Sequence, residues 1–451
     1  MKRRDFLAVT AATLTARAAD SSTDEDAILK RIRPPKFAAR DFDITQHGAR
    51  GDGQMICTEA IGQAIAACSQ AGGGRVVIPR GDFLTGAIHL KSGVELHVTA
   101  GATLRFSRDA KHYLPAVFSR WEGTECWNYS PFLYALDQKD IAITGEGVLD
   151  GQADADHWWN WKGRDKREPN QTKDRGALQK MGEDGTPVKD RAFGDGHYLR
   201  PQFIQPYRCQ NVLIEGVTIR NSPMWEIHPV LCRNVTVRNV KIDSHGPNND
   251  GCDPESSTDV LIQGCTFSTG DDCIAIKSGR NADGRRINVP CENLIVDNCT
   301  MQDGHGGVSV GSEISGGVRN VYVRNCRMSS PHLERALRIK TNSYRGGVIE
   351  NISFRDVVVG QVANDAVQID YFYEEGEGGP FKPAVRHVRI SGVTCGRSMD
   401  ALNLRGYAAS PIRDVRVSHC TFENAAKPNV FEHVEGLVLD DVQINGRSTH
   451  A

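Results

Sequence analysis

Four short clusters carry the side chains of this 451-residue chain that could do chemistry: Asn248-Asn249-Asp250, Gly270-Asp271-Asp272, Gly304-His305-Gly306 and Arg338-Ile339-Lys340. Three carboxylates, an imidazole and two cations are the groups needed to move a proton, activate a water and hold an acidic substrate. Taken singly, each cluster is ordinary. An Asp in a Gly-rich turn mostly forms the turn, Gly-His-Gly is a turn with an exposed imidazole, and Arg-x-Lys is a solvated strand face. They make a site only if the fold stacks residues 248 to 340 on one another, so the elements that carry them decide the matter.

Those elements repeat. Asn211-Val212-Leu213-Ile214, Asn234-Val235-Thr236-Val237, Asp259-Val260-Leu261-Ile262, Asn293-Leu294-Ile295-Val296, Asn320-Val321-Tyr322-Val323, Asn351-Ile352-Ser353-Phe354, His387-Val388-Arg389-Ile390 and Asp414-Val415-Arg416-Val417 are versions of one strand. Their spacing, about 23 to 36 residues, is that of a solenoid. A second short alternating piece follows each, such as Val217-Thr218-Ile219. β-Branched runs broken by Gly and Asn leave little room for helices. The pattern predicts an all-β, right-handed parallel β-helix of about three short strands per coil.

At the start, Ile61, Ala64, Ile65 and Cys68 fall at helical spacing after Thr58, a candidate N-cap, and Gly72-Gly73-Gly74 ends the run. An open solenoid needs its apolar end covered, and this helix predicts the cap. The catalytic domain is expected to be a single β-helix over 41–451, with polar insertions near 152–200 and 374–383. Residues 1–18 read as a twin-arginine export signal, from Arg3-Arg4-Asp5-Phe6-Leu7 to Ala16-Arg17-Ala18, and 19–40 as a linker. The protein is then exported to the periplasm or beyond, without stable membrane insertion, because Ala8 to Ala16 is too short to span a bilayer. A formal net charge of −2 argues against a nucleic-acid partner.

Thirteen cysteines in an exported chain would suggest disulfides, but the count is odd. Cys209, Cys232 and Cys291 precede equivalent strands, and Cys265, Cys299, Cys326 and Cys420 share a later repeat position. The expectation is internal ladders of small apolar side chains, with one or two disulfides still open. No tight Cys or Cys/His quartet suggests a metal site.

On this frame each cluster follows the second strand of its own coil. Rungs of a parallel sheet lie about 4.8 Å apart, so the set should line one groove. Asn-x-Asp, Gly-Asp-Asp, Gly-His-Gly and Arg-x-Lys, in that order on a β-helix, resemble glycoside hydrolase family 28, the polygalacturonases and related pectin hydrolases. The resemblance implies an inverting hydrolase of α-1,4-galacturonosyl linkages that uses no metal or organic cofactor. Asp271 would be the general acid, holding its proton, with Asp250 and Asp272 ionised to activate water. His305 would orient or tune the acid, and the carboxyl pairs would stand apart as in inverting enzymes. Arg338 and Lys340 would bind the galacturonate carboxylate. Asn248 would fix the Asp250 turn or contact sugar, and Tyr373, or else Tyr371, would contact substrate.

The resemblance implies a pectic polysaccharide or oligogalacturonide as the partner of a monomer, and exo action is preferred over endo. The 157–161 stretch His-Trp-Trp-Asn-Trp could stack on sugar or pack on the solenoid flank. Three rival functions use the same scaffold: a rhamnogalacturonan or rhamnosyl hydrolase of the family, a Ca-dependent pectate lyase, and a non-catalytic carbohydrate-binding β-helix.

Overall fold

The computed structural model describes residues 21–164 and 166–450. Its strands form a parallel β-helix: one 26-stranded sheet, a six-stranded sheet and two three-stranded sheets, with pairing between coils parallel almost throughout. The repeat read from sequence is the repeat of the coils. Val212, Val235, Val260, Leu294, Val321, Ile352, Val388 and Val415 stack in register, one per rung. All eight are buried, and they form part of one continuous core running up the bore.

The residue before each of these apolar positions explains why the chain turns there. Asn211, Asn234, Asp259, Asn293, Asn320, Asn351, His387 and Asp414 all have φ between 53° and 59°. This left-handed conformation costs most residues about 1–2 kcal/mol, and Asn and Asp tolerate it best. The same side chains also bond from rung to rung. Asn234 Nδ2 donates to Asn211 Oδ1 at 2.7 Å, Asn320 to Asn293 at 2.9 Å, and Asn351 to Asn320 at 3.1 Å. A polar ladder thus marks one corner of the coil, while the apolar ladder fills the inside.

The helix Thr58–Gln70 covers the N-terminal end, burying Ala60, Ile61, Ala64, Ile65 and Cys68. Thr58 is not its N-cap. Cys57 occupies that place, and the Thr58 hydroxyl accepts a bond from Gly86 N–H at 2.6 Å instead. The expected linker, 19–40, holds in its described part a helix, Ser21–Arg31, docked on the outside of the large sheet. Ile28 and Ile32 pack on Ile295 and Tyr322. Glu25, fully buried, lies 2.6 Å from Arg324 Nη1 and 2.8 Å from Arg355 Nη2. Sequence missed this helix because its apolar face is only two isoleucines wide and its partners lie hundreds of residues away.

The segment read as an export signal falls outside the described residues but for its neighbours after residue 20. Among the described residues no helix is long and apolar enough to cross a membrane. All thirteen cysteines are buried and free. The ladder predicts a specific cost for its loss. Asn320→Ala is expected to destabilise by about 2 kcal/mol, from left-handed strain and lost hydrogen bonds, and Asn320→Gly by less. Thermal unfolding midpoints should rank wild type, then Gly, then Ala; equal midpoints for Gly and Ala would rule out the strain contribution.

Candidate active site

The six-stranded sheet builds the floor of a groove. Its strands Ile274–Ile276, Val308–Gly311, Leu337–Lys340 and Asp365–Asp370 align Ala275 with Ser309, Arg338 and Gln368, and Gly311 with Lys340 and Asp370. Alternation sends Ile274, Ile276, Val308, Val310, Leu337 and Ile339 into the core, which turns Arg338 and Lys340 outward. Asp271, Asp272 and His305 sit in the turns just before the first two of these strands, and Asp250 lies one coil earlier, before Cys252, which bridges to Ile274. Backbone bonds lock the turns together: Gly251 N to Asp272 O at 2.9 Å, Cys273 N to Gly306 O at 2.8 Å and His305 N to Asp271 O at 3.0 Å. Two motif glycines are needed for this approach. A Cβ on Gly270 would stand 2.2 Å from Gly246 O, and one on Gly306 2.3 Å from Ser309 Oγ.

The three carboxylates converge. Asp250, Asp271 and Asp272 each place an oxygen within 4.8 Å of the others. Asp250 and Asp272 are buried, whereas Asp271 is partly exposed at the groove surface. Asp272 is held from two sides, accepting from Ser309 Oγ at 2.8 Å and Lys340 Nζ at 2.7 Å. Arg338 Nη1 lies 3.7 Å away. His305 Nδ1 is 2.9 Å from Asp271 Oδ1. These contacts bring all four clusters into one site.

The charges differ from the sequence expectation. Burial would raise the Asp272 carboxyl, but Lys340 and Arg338 outweigh it and hold the group below the usual carboxylate range. Burial also opposes ionisation of Asp271, yet the His305 contact, with Lys340 and Lys277 behind it, keeps it low. Asp250 goes the other way, pushed well up by burial first and then by Asp253 and Asp271. His305 is raised, chiefly by Asp271. With only the protein's own charges acting, protonation is favoured at Asp250 and His305 and opposed at Asp271.

Around this centre the other candidates separate. Asn249, not Asn248, fixes the turn: its side chain accepts from Ser244 Oγ and Gly246 N and donates to Ser222 O and Met224 O. Asn248 Oδ1 accepts from Lys162 Nζ at 2.7 Å and Arg200 Nη2 at 2.8 Å, which ties the 152–200 insertion to the site. The Tyr373 ring lies 5.4 Å from the Arg338 guanidinium and 5.2 Å from Lys340 Nζ. Tyr371 is fully buried and accepts from Val385 N through its hydroxyl, away from the groove. Trp158 is 2% exposed and packs edge-on against Tyr113, Phe132 and Trp161, so it serves the core rather than a sugar.

Sequence reading missed Lys277, Asp253 and Glu313, which lie directly behind the trio. The alternation Ile274-Ala275-Ile276-Lys277 already placed Lys277 on the outward phase, and that signal went unused. The trio is also the one His/Cys/Asp/Glu group close enough to hold a cation among the described residues. Its donor set does not suit one. Calcium takes six to eight oxygens, whereas Lys340 and Ser309 already occupy Asp272, and Lys277 stands 3.8 Å from Asp250.

Comparison with known proteins fits this geometry. The model of glycosyl hydrolases family 28 matches residues 188–435. A probable polygalacturonase from Vitis vinifera is 27% identical over 422 residues, covering 88% of this chain and 78% of the relative. An exo-poly-alpha-D-galacturonosidase from Dickeya chrysanthemi is 30% identical over 359 residues, 75% of this chain and 58% of the relative. The crystal structure of a hyperthermoactive exopolygalacturonase from Thermotoga maritima is 47% identical, with a TM-score of 0.92 over 95% of this chain and 97% of that one. This chain is a member of glycosyl hydrolase family 28.

Proposed function

We propose that this protein hydrolyses α-1,4-galacturonosyl linkages of pectin or oligogalacturonides, acting from a chain end. The observation that carries the reading is the meeting of Asp250, Asp271 and Asp272 within 4.8 Å, beside Arg338, Lys340 and Tyr373. An Arg fork and a Lys point charge over one rung suit a uronate carboxylate. The similarity to the Thermotoga exopolygalacturonase across nearly the whole chain supports exo action.

The loops support it too. Arg175 of the 152–200 insertion pairs with Glu122 at 2.6 Å, and Glu374 and Glu375 pair with Arg345 at 2.8 and 3.3 Å. Arg280 links the two groups, bonding Gly123 O through its backbone at 3.0 Å and Glu375 through its side chain at 3.2 Å. Both insertions thus meet at one flank of the site, an arrangement that favours entry by a chain end.

In this reading Asp271, the exposed carboxyl, protonates the glycosidic oxygen, and Asp250 with Asp272 activates a water. Two hydrogen bonds of about 2.8 Å meeting at a tetrahedral water span about 4.6 Å. The close trio therefore fits one water shared by two bases, and attack by that water inverts the anomeric carbon. Asp271 and His305 share a proton. When a galacturonate carboxylate neutralises Lys340, part of the field that keeps Asp271 ionised is lost, and the proton passes from the imidazole to the acid. Water attack, not elimination, also follows from how Lys340, Ser309 and Lys277 engage the trio.

Polygalacturonate digests should release monomeric galacturonate from the first time points, as the β-anomer by NMR. Asp271→Asn should lose roughly 10²–10⁴ in kcat with KM little changed; equal activity in that variant would sink the assignment. The pH dependence follows from the charges. Activity rises with pH as the raised Asp250 ionises and falls as the raised His305 and its partner Asp271 lose their proton, giving a bell with a mildly acid optimum. His305→Gln should move the alkaline limb to lower pH, and a rate that keeps climbing through alkaline pH contradicts the scheme. Export through a twin-arginine route belongs to the same proposal, on the strength of Arg3-Arg4 and Ala16-Arg17-Ala18. Replacing both arginines by Lys should leave the protein in the cytoplasmic fraction, and unchanged export would refute that route.

A further inference from the structure

The groove floor turns a third cation toward the trio. Lys277 follows the Ile274–Ile276 strand, and the register that pairs Ile276 with Val310 and Gly311 with Lys340 puts it in the Lys340 column, with Gly311 between them. A Cβ on Gly311 would stand 2.0 Å from Lys340 O, so this rung carries no side chain between the two lysines. Lys277 is 3% exposed, deeper than Lys340 and Arg338. Its ammonium lies 3.2 Å from Glu313, 3.8 Å from Asp250, 3.9 Å from Asp253 and 4.5 Å from the centre of the Trp225 ring.

Burying an ammonium is costly unless acids pair it, and here three do. The acids are not equal. Glu313 is in hydrogen-bond contact with Lys277, while Asp250 Oδ1 and both oxygens of Asp253 have no hydrogen-bond partner among the described residues. A buried carboxylate without donors depends on a nearby charge to ionise. For Asp250 and Asp253 that charge is Lys277.

We propose that Lys277 is a positioning residue for hydrolysis: it acts through Asp250, keeping that carboxyl able to ionise and accept the water's proton, while Asp253 competes for the same ammonium. The proposal rests on the assignment of Asp250 to water activation. Every charged group facing the pair fits it. Asp253, Asp271 and Asp272 push Asp250 up on top of its burial, and Lys277 pulls it down. Burial raises Asp253 and Lys277 opposes it. Lys277 itself stays charged because Glu313, Asp253, Asp250 and Asp272 outweigh its burial. Glu313 is kept ionised against burial by Lys277, Arg345, Arg280 and Lys340, so it does not draw on Lys277 alone. Lys340 and His228 both feel Lys277 as a like charge, while Arg200 faces Asp250 as a second, more remote cation and the buried Glu226 faces Asp253, its own carboxyl pushed well up by burial.

The test compares Lys277→Met, Lys277→Arg and Asp253→Asn in the full chain, with polygalacturonate as substrate. Lys277→Met should move the acid limb of the kcat/KM profile up by roughly a pH unit or more, lowering kcat at mildly acid pH with KM near wild type, and Lys277→Arg should restore part of the shift. Asp253→Asn should move the same limb down. The Asp250 carboxyl titration, followed by ¹³C NMR against Asp250→Asn, should shift in the same two directions without any turnover. Limbs moving in opposite directions support the proposal. An Asp250 titration unmoved in folded Lys277→Met, or an acid limb unmoved in Asp253→Asn, overturns it. If Lys277→Met does not fold, Asp253→Asn decides alone. A wild type that releases no galacturonate at any pH defeats the hydrolase reading instead, and the NMR titration still reports separately on Lys277.

Discussion

The stacking of the four clusters rests on the rung spacing of a parallel sheet, about 4.8 Å. Residues from successive coils that share a register position must lie that far apart, whatever their separation in sequence. Asp250, Asp271 and Asp272, from two neighbouring turns, therefore come within 4.8 Å of one another without any long-range design beyond register. His305 and then Arg338 and Lys340 follow on the next coils. The apolar ladder from Val212 to Val415 enforces that register, since a slip of one residue would turn every inward side chain out to water.

Close stacking of like charges carries a penalty that the fold must offset. Three acids on neighbouring rungs cannot all ionise easily, and the structure meets this with cations placed on both sides. Lys340 and Arg338 approach Asp272 from the groove, and Lys277 approaches Asp250 from below. Each acid then has its own environment: Asp272 fixed as a carboxylate, Asp271 tied to His305, Asp250 balanced between burial and Lys277. Division of acid and base roles within one cluster follows from this asymmetry. The aromatic ring of Tyr373 lies beside both groove cations.

The insertions give the groove a direction. A bare solenoid face is open at both ends, and a polymer could lie along it without a preferred terminus. Here the 152–200 insertion reaches Asn248 through Lys162 and Arg200, while Glu374 and Glu375 fasten to Arg280 and Arg345. Their ion pairs are partly buried, where charge–charge attraction is screened less than at the surface.

Much of this was legible in the residues alone. The repeat, the β-helix, the capping helix and the four clusters at one phase all follow from local pattern, because side-chain alternation and left-handed Asn corners are set by nearby residues. What local pattern could not reach was anything that depends on partners far away in the chain. Asn249 fixes the turn that Asn248 was expected to fix, while Asn248 is held by Lys162 and Arg200 from the distant insertion, and Tyr371 went into the core while Tyr373 faced the cations. The helix Ser21–Arg31 docks where a linker was expected, since two isoleucines and Glu25 find their partners only on the assembled sheet. The electrostatic surroundings of the carboxyls were out of reach for the same reason. Which carboxyl is acid depends on burial and on Lys277, Asp253 and Glu313 behind it. Short-range periodicity was enough to give the coil and to bring the candidate reacting groups to one phase of it. Only the tertiary structure decided their charges and the shape of the groove, because electrostatics and burial are properties of what surrounds a residue and not of its neighbours in the chain.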